Sequence, residues 1–361
     1  MQKGDHLKKV QKIRAIELAG IVILLSVLFL FFAGIRHPAA AAEAKMQTGS
    51  GDSPWRSGGD SLKNKSGINT VVKSYYSRKL NKKSMKIYKA IYKKHRKSGK
   101  KVKVKLSKKV SMKVSGSYFR SGKIWDHKKV QAIDMICDQA TTALIDSNID
   151  CYWIRYYRWS YHYYYTWLSG NKVSVRIDSI TLKPVEWYKG ARKEHGTVKA
   201  AAKNAAAYIM RTRPDKSRFT TARLIYEYLI RTVSYGHNRG VEYSPASALL
   251  PKYSRISVCD GYARAFKMIC DYCGVTCLYV GSTYDDHAWN MIQLENGKWY
   301  GVDVTWGDCG STATYRWFMY GRNEVSSGAH PGSSLYWSNN SIYRFVLPAL
   351  APSGIKYKRA A

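Results

Sequence analysis

The chain is poor in acidic residues. Only 24 of its 361 residues are Asp or Glu, against 60 Lys or Arg, so the formal net charge is +36. From Ser61 to Val130, a single acidic residue, Asp126, stands among 24 Lys and Arg. This excess of positive charge indicates an anionic partner, such as nucleic acid, a membrane surface or an anionic wall polymer. The alternative is that these lysines only form a solvated face.

Glycine, proline and cysteine are not abundant either. With 27 Gly and 9 Pro the chain is not collagen-like, and an apolar fraction of 45% excludes an intrinsically disordered chain. Seven cysteines in 361 residues are too few for a dense disulfide framework. At about 150 residues per domain, the length predicts two domains, each with its own core.

One long apolar run lies near the N-terminus. Leu18 to Ile35 contains no charged residue, follows a basic flank and precedes four alanines at 39–42, which is the pattern of an export signal. The run is about 27 Å long as a helix, so an uncleaved membrane anchor is the alternative to a cleaved signal. Both predict that the remainder is extracellular, either membrane-anchored or secreted. Export argues against nucleic acid as the partner.

Changes in composition predict the organisation of the whole chain. The predicted parts are a signal peptide or membrane anchor (1–35), a flexible linker (36–66), a basic, aromatic-rich N-terminal region (67–195), a catalytic domain (196–350) and a tail (351–361).

The basic region has the patterns of mixed helix and strand. Apolar spacing predicts helices over 84–94 and 130–145 and strands over 101–106 and 173–177. Ten Tyr and Trp residues between Cys151 and Leu168 predict a strand whose rings fill a sheet. The alternative is that these rings stack on sugars.

A candidate nucleophile stands at the start of a predicted helix. After helices over 197–211 and 220–231, apolar residues recur at spacings of three and four from Tyr262 to Cys273, and Gly274 would end this helix. Cys259 falls at its first turn, where free N–H groups and the macrodipole stabilise an anion. Thiol catalysis requires a thiolate.

A predicted hairpin carries the other two candidates, His287 and Asp303. The segment Glu295-Asn296-Gly297-Lys298 is the turn signal. A two-residue turn would place Asp303 on the face that His287 avoids. A three-residue loop with left-handed Gly297 places Asp303 opposite Trp289, diagonal to His287 and within reach of it. We therefore predict that loop, with a bulge at Gly297. The same register pairs Leu294 with Lys298, Ile292 with Tyr300 and Ala288 with Val304.

The three residues have complementary roles in this arrangement. His287 would take the thiol proton of Cys259 and later protonate the leaving group, while Asp303 would fix the tautomer and orientation of the imidazole. The backbone N–H of Cys259 can contribute to an oxyanion hole, and the sequence identifies no second donor.

The stretch from Tyr226 to Asp308 resembles the transglutaminase-like superfamily, a papain-related group of thiol enzymes. The motifs that carry the resemblance are Cys259-Asp260-Gly261-Tyr262-Ala263, His287-Ala288-Trp289-Asn290, and the run from Trp299 to Trp306. By resemblance, Cys259, His287 and Asp303 are nucleophile, base and orienting acid. The chain departs from the family pattern at Ser257, where Gly is frequent, and at Gly236, where Asp is common.

The resemblance implies an α+β fold. Its papain/transglutaminase-like core has the nucleophile helix packed on an antiparallel sheet. A basic α+β region and an N-terminal apolar helix precede this core.

The predicted function is that of an exported thiol enzyme acting on amide bonds of a protein or peptide substrate through an acyl-enzyme. Water as acceptor gives a peptidase or amidase, and a Lys amine gives transglutaminase-type acyl transfer; we favour hydrolysis. The alternative is a non-catalytic cell-surface protein whose basic and aromatic half binds wall polymer or glycan. No cofactor and no metal are expected, because Cys270, Cys273 and Cys277 resemble core residues with no His at ligand spacing.

Overall fold

The computed structural model describes residues 74–95, 99–282, 287–310, 313–324 and 347–357. The predicted signal peptide or anchor (1–35) and linker (36–66) lie outside these residues. Within the described part, no helix is both long enough and apolar enough to cross a membrane.

The fold is α+β, as predicted. The helices are α1 (Tyr75–Arg78), α2 (Lys82–His95), α3 (Gly116–Arg120), α4 (Lys128–Ser147), α5 (Ala191–Thr212), α6 (Arg218–Thr232), α7 (Pro245–Leu249), α8 (Cys259–Cys273), α9 (Val304–Gly307) and α10 (Arg322–Glu324). The strands are β1 (Val102–Ser115), β2 (Ile154–Leu168), β3 (Lys172–Glu186), β4 (Ser234–Tyr235), β5 (Ile256–Ser257), β6 (Thr276–Ser282), β7 (His287–Gln293), β8 (Trp299–Val302) and β9 (Phe318–Tyr320). Short 3-10 turns lie at Lys123–Asp126, Ile149–Cys151 and Pro251–Tyr253.

The basic region forms a three-stranded antiparallel sheet in the order β1-β3-β2. Apolar side chains of its strands are buried against α2 and α4, whereas Lys103, Lys105 and Lys113 of the edge strand β1 are exposed. The predicted strand over 101–106 is therefore the beginning of a longer one. Lysines on an edge strand discourage pairing with another chain.

The aromatic strip forms β2, and its alternate rings contribute to the core. Tyr157, Tyr161 and Tyr163 are buried, which confirms the prediction that these rings fill a sheet. At the end of β2, the Trp167 ring is 45% exposed, and the side chain of the next residue, Leu168, is 38% exposed.

A second antiparallel sheet, in the order β6-β7-β8-β9, packs against α8. Ser217 caps the N-terminus of α6 by accepting a hydrogen bond from the backbone N–H of Thr220 at 3.1 Å. Gly274, with φ 74°, ends α8 as predicted.

The basic region and the part of the chain that forms the second sheet share a core, because Leu278 and Trp289 pack in the same hydrophobic cluster as Ile91 and Val175. The division of the chain at 195/196 stays a prediction.

The β7–β8 hairpin has the predicted three-residue loop. Leu294 donates its backbone N–H to the carbonyl oxygen of Lys298 at 3.1 Å, Ile292 pairs with Tyr300, and Gly297 has φ 73°. The expected pair of Ala288 with Val304 was wrong, because β8 ends at Val302 and Val304 begins α9. The chain leaves the sheet at Asp303, whose side chain caps the new helix.

Candidate active site

Cys259 is the first residue of α8. Its side chain is 9% exposed and packs with Ala263, Tyr279 and Ala288, from the same helix and from β6 and β7. The first residues of a helix have no intrahelical acceptor for their N–H groups. The sulfur therefore lies where backbone donors favour a negative charge.

The backbone before Cys259 is held by a buried hydroxyl network. Ser257 donates to the carbonyl oxygen of Glu242 at 3.0 Å and lies 2.7 Å from the Ser247 hydroxyl. A Cβ at Gly261 would collide with Ser257 Oγ and approach the Glu242 carbonyl oxygen to 2.6 Å. Ser257, a departure from the family pattern, thus has its hydroxyl satisfied, and Gly261 is required by close packing.

His287 and Asp303 are joined by a short hydrogen bond. Nε2 of His287, the first residue of β7, lies 2.6 Å from Oδ2 of Asp303, which is fully buried. The other carboxylate oxygen of Asp303 accepts the backbone N–H of Trp306 at 3.0 Å. The carboxylate is therefore fixed by α9 and in turn fixes the imidazole.

Cys259 completes the constellation, because it packs with Ala288, the residue after His287, and contributes to the raised pKa of the His287 imidazole. Since Nε2 of His287 is engaged by Asp303, Nδ1 is the ring nitrogen that remains for the sulfur. The structure thus brings the three sequence-predicted site residues into one chain of contacts.

The electrostatics of the site favour a protonated His287. Burial lowers its pKa, but the charge of Asp303, its hydrogen bond and the neighbouring Cys259 outweigh that effect and raise the pKa to about 10. An imidazolium beside a sulfur stabilises the thiolate. The arrangement therefore suits a nucleophilic sulfur paired with an acid that is ready to donate a proton.

Two indole rings flank the imidazole. The ring of Trp306 stacks on His287 with centroids 4.8 Å apart, and that of Trp289 lies at 6.1 Å in a nearly parallel plane. Their contacts restrict rotation of the His287 ring and shield its hydrogen bond to Asp303.

Four other polar residues near these three in the sequence are Asn290, Asp308, Asp285 and Asp286, and the first two have structural partners. Asn290 is fully buried and donates to the carbonyl oxygens of Ala263 and Leu278 at 3.0 and 3.1 Å, which ties β7 to α8 and β6. Asp308 accepts a hydrogen bond from the Tyr262 hydroxyl at 2.6 Å. Asp285 and Asp286 lie outside the described residues.

Sequence reasoning missed a buried charge cluster behind the nucleophile. Arg264 is 5% exposed and lies 3.3 Å from Asp260 Oδ1 and 3.8 Å from Asp146 Oδ1, with Tyr279 under its guanidinium at 4.0 Å. The Tyr279 hydroxyl also donates to Asp260. The available signal was an Asp and an Arg four residues apart on the side of the predicted helix opposite its apolar stripe. Nothing in the sequence indicated Asp146, which lies on α4.

No group of three or more His, Cys, Asp or Glu side chains within the described ranges is placed to hold a metal ion. Cys270 and Cys277 are buried, and burial raises the pKa of the Cys270 thiol. These thiols behave as core groups.

Comparison with known proteins relates the part of the chain that holds this site to a known family. The model of the transglutaminase-like superfamily matches residues 203–304. The chain carries a transglutaminase-like domain. Cys259, His287 and Asp303 all lie within that domain.

Two curated proteins are similar to part of this chain. Kyphoscoliosis peptidase of Mus musculus is 37% identical in an alignment 106 residues long that covers 25% of this chain and 16% of that protein. Its Homo sapiens counterpart is 36% identical over 108 residues, with the same coverage. The chain thus spans only a small part of the length of these relatives. A solved structure described as "Crystal structure of a TGase" covers 43% of this chain and 47% of its own, at 13% identity and a TM-score of 0.26.

Proposed function

We propose that the protein is an exported thiol enzyme that acts on amide carbonyl groups through an acyl-enzyme. The observation that carries the proposal is the chain of contacts from the Cys259 thiol through His287 to the Asp303 carboxylate. Membership of a thiol-enzyme family supports it. Export rests on the apolar run at 18–35 and its flanks.

The reaction follows from the charge states at the site. The Cys259 sulfur attacks the amide carbon, and the negative charge that develops on the oxygen is stabilised by the backbone N–H of Cys259. His287 donates its proton to the departing amine nitrogen, the carbon–nitrogen bond breaks, and a thioester remains. Asp303 holds the imidazole in place and stabilises its positive charge.

Two acceptors can discharge the thioester. Water, deprotonated by His287, gives a carboxylic acid and restores the thiol, which is a peptidase or amidase outcome. A lysine amine gives a new amide and a protein cross-link. Both restore the same resting enzyme, so the choice depends on which acceptor reaches the thioester. We favour hydrolysis, with a protein or peptide as substrate.

The test compares two thiols in the same full-length chain. Cys309 is exposed, whereas the other six cysteines are buried, so Cys309 is an internal reference for ordinary thiol reactivity. We expect a limiting amount of an iodoacetamide probe, mapped by peptide mass spectrometry, to label Cys259 faster than Cys309. His287→Ala should slow labelling at Cys259 at least tenfold and leave Cys309 unchanged.

Activity completes the test. Cys259→Ala should lower turnover of a peptide amide at least about a thousandfold, whereas Cys309→Ala should leave it unchanged. Adding a primary amine then separates the acceptors by product mass. If a folded chain shows slow labelling at Cys259 that does not depend on His287, the thiol-enzyme proposal is wrong. The non-catalytic surface protein would then be the better explanation.

A further inference from the structure

The tip of the β2–β3 hairpin exposes an apolar pair. Trp167 and Leu168 are 45% and 38% exposed, and they are the only consecutive residues among the exposed large hydrophobic side chains of the described part. All residues from 166 to 172 are exposed, and the backbone N–H of Gly116 on α3 donates to the carbonyl oxygen of Asn171 at 2.7 Å, which fixes the tip.

Trp167 pairs with Val173 and Leu168 with Lys172, so the two side chains leave opposite faces of the ribbon at its tip. The term "tip patch" refers to Trp167 with Arg120 beside it and to Leu168 with Lys113 and Lys172 on its face.

The cations of the tip patch are brought there by the fold. Lys172 pairs with Leu168 across the hairpin and with Ser115 of β1, and Lys113 pairs with Ser174 of β3. The guanidinium of Arg120, at the end of α3, lies 5.1 Å from the centre of the Trp167 ring. Three separate stretches of sequence thus converge on one end of the sheet.

Acidic residues are missing from these stretches. The chain has no Asp or Glu between Asp60 and Asp126, and none between Asp150 and Asp178. Those two gaps contain all of β1, α3 and β2 and the first part of β3. The tip patch therefore has a positive field with no acidic residue of its own segments to cancel it.

Protection of an edge strand accounts for the lysines along β1 but not for the apolar pair at the tip. Phosphate polymers would attract the cations, yet the aliphatic side chain of Leu168 gains nothing from them. A bilayer surface can bind both the apolar pair and the cations. Indole rings are enriched at membrane interfaces, and cations are attracted by anionic headgroups. Stable membrane attachment generally needs two such signals together.

We propose that the tip patch docks on an anionic lipid surface, with Trp167 and Leu168 in the interface and the surrounding cations against the headgroups. This inference is independent of the proposed thiol chemistry. It also does not depend on the fate of the apolar run at 18–35.

The test places an environment-sensitive fluorophore on the tip of the full chain. Cys259→Ala and Cys309→Ser remove the active-site and exposed thiols, and Ser169→Cys supplies the labelling site. A matched protein carries the label at Lys216→Cys, an exposed position between α5 and α6. Vesicles of phosphatidylcholine, with and without phosphatidylglycerol, are then added to each protein.

We expect the emission of the tip label to shift to the blue only with phosphatidylglycerol, and to revert as salt is added. The Lys216→Cys label should not shift, even if the N-terminal segment attaches the chain to the same vesicles. Lys113→Glu combined with Lys172→Glu should lower the apparent affinity seen by the tip label at least about tenfold. Trp167→Gln with Leu168→Gln should abolish the blue shift, whereas Met135→Gln, an equally exposed apolar residue on α4, should preserve it.

Three outcomes would overturn the proposal. One is an unchanged tip label in anionic vesicles, with the fold verified by circular dichroism. Another is an equal shift at the tip and at position 216. The third is a tip label that responds to soluble polyphosphate and not to vesicles, which would assign the tip patch to a phosphate polymer.

Discussion

At His287, burial and charge act in opposite directions on the pKa of the imidazole. Burial disfavours its protonated form, whereas the carboxylate of Asp303 at 2.6 Å and the sulfur of Cys259 favour it, and the net result is a pKa of about 10. The proton on His287 therefore contributes to the stability of the fold as well as to the proposed reaction.

The sign of that contribution can be measured. An unfolded His has a pKa near 6.5, so between about pH 6.5 and pH 10 His287 holds a proton in the native chain that it lacks in the unfolded chain. The contribution of His287 to the free energy of unfolding is complete below that window and is lost as the pH rises through it. The slope is at most about 1.4 kcal/mol per pH unit.

We expect His287→Gln to remove this slope. Urea unfolding of both proteins across the window should give free energies whose difference is largest at the acidic end and shrinks towards pH 10. A difference that stays constant with pH would mean that the pKa of His287 is not raised in the native state.

At the scale of elements, the register of the β7–β8 hairpin decides whether Asp303 reaches His287. That register depends on one left-handed residue, Gly297, at φ 73°. A Cβ at Gly297 would meet nothing within 4 Å, so the only obstacle to a side chain there is the backbone conformation.

Gly297→Ala should therefore destabilise the protein by about 1 kcal/mol, measured as a lower urea midpoint with an unchanged denaturant slope. Gly196→Ala is the matched control, because Gly196 lies inside α5 and a Cβ there also meets nothing within 4 Å. That change should stabilise by about 0.5–1 kcal/mol, since alanine restricts the unfolded chain and fits a helix. Equal effects of the two substitutions would contradict the role of Gly297.

At the scale of the whole molecule, a buried ion cluster joins the N-terminal half to the nucleophile helix. Arg264 of α8 lies 3.8 Å from Asp146 of α4, and both are nearly fully buried. Burial raises the pKa of Asp146 to about 7, although the charge of Arg264 lowers it. Removing the cation would leave a carboxylate that can avoid its desolvation cost only by binding a proton.

Arg264→Met should thus destabilise the protein by about 3 kcal/mol or more near pH 8, because it leaves an unpaired buried charge. The loss should be smaller near pH 5, where Asp146 is protonated. Adding Asp146→Asn to Arg264→Met should recover part of the stability and abolish that pH dependence, as followed by thermal unfolding. If Arg264→Met alone loses the same stability at both pH values, Asp146 is not the group that is left with an unpaired charge.

Local chemistry in the sequence was enough to predict several features of the fold and of the site. The choice of the three-residue loop, and with it the pairing of Ile292 with Tyr300, came from the requirement that Asp303 reach His287. By contrast, the apolar spacing after Cys259 predicted α8, Gly274 predicted its end, and Asn296-Gly297 predicted a hairpin turn. These features depend on neighbours within a few residues, so the pattern contains the information. The catalytic roles of Cys259, His287 and Asp303 remain a proposal that this geometry supports.

Contacts between distant segments were decided only by the tertiary structure. Asp303 leaves its strand to cap α9, which no alternation predicts, and Arg264 finds its second carboxylate on a helix more than a hundred residues earlier. The aromatic strip of β2 contained no sign that Trp167 and Leu168 would be exposed while Tyr161 and Tyr163 would be buried. The sequence thus determined which side chains could react or pack, because that chemistry belongs to the residue and its close neighbours. The tertiary structure decided which of them meet, because burial and long-range pairing depend on the whole chain.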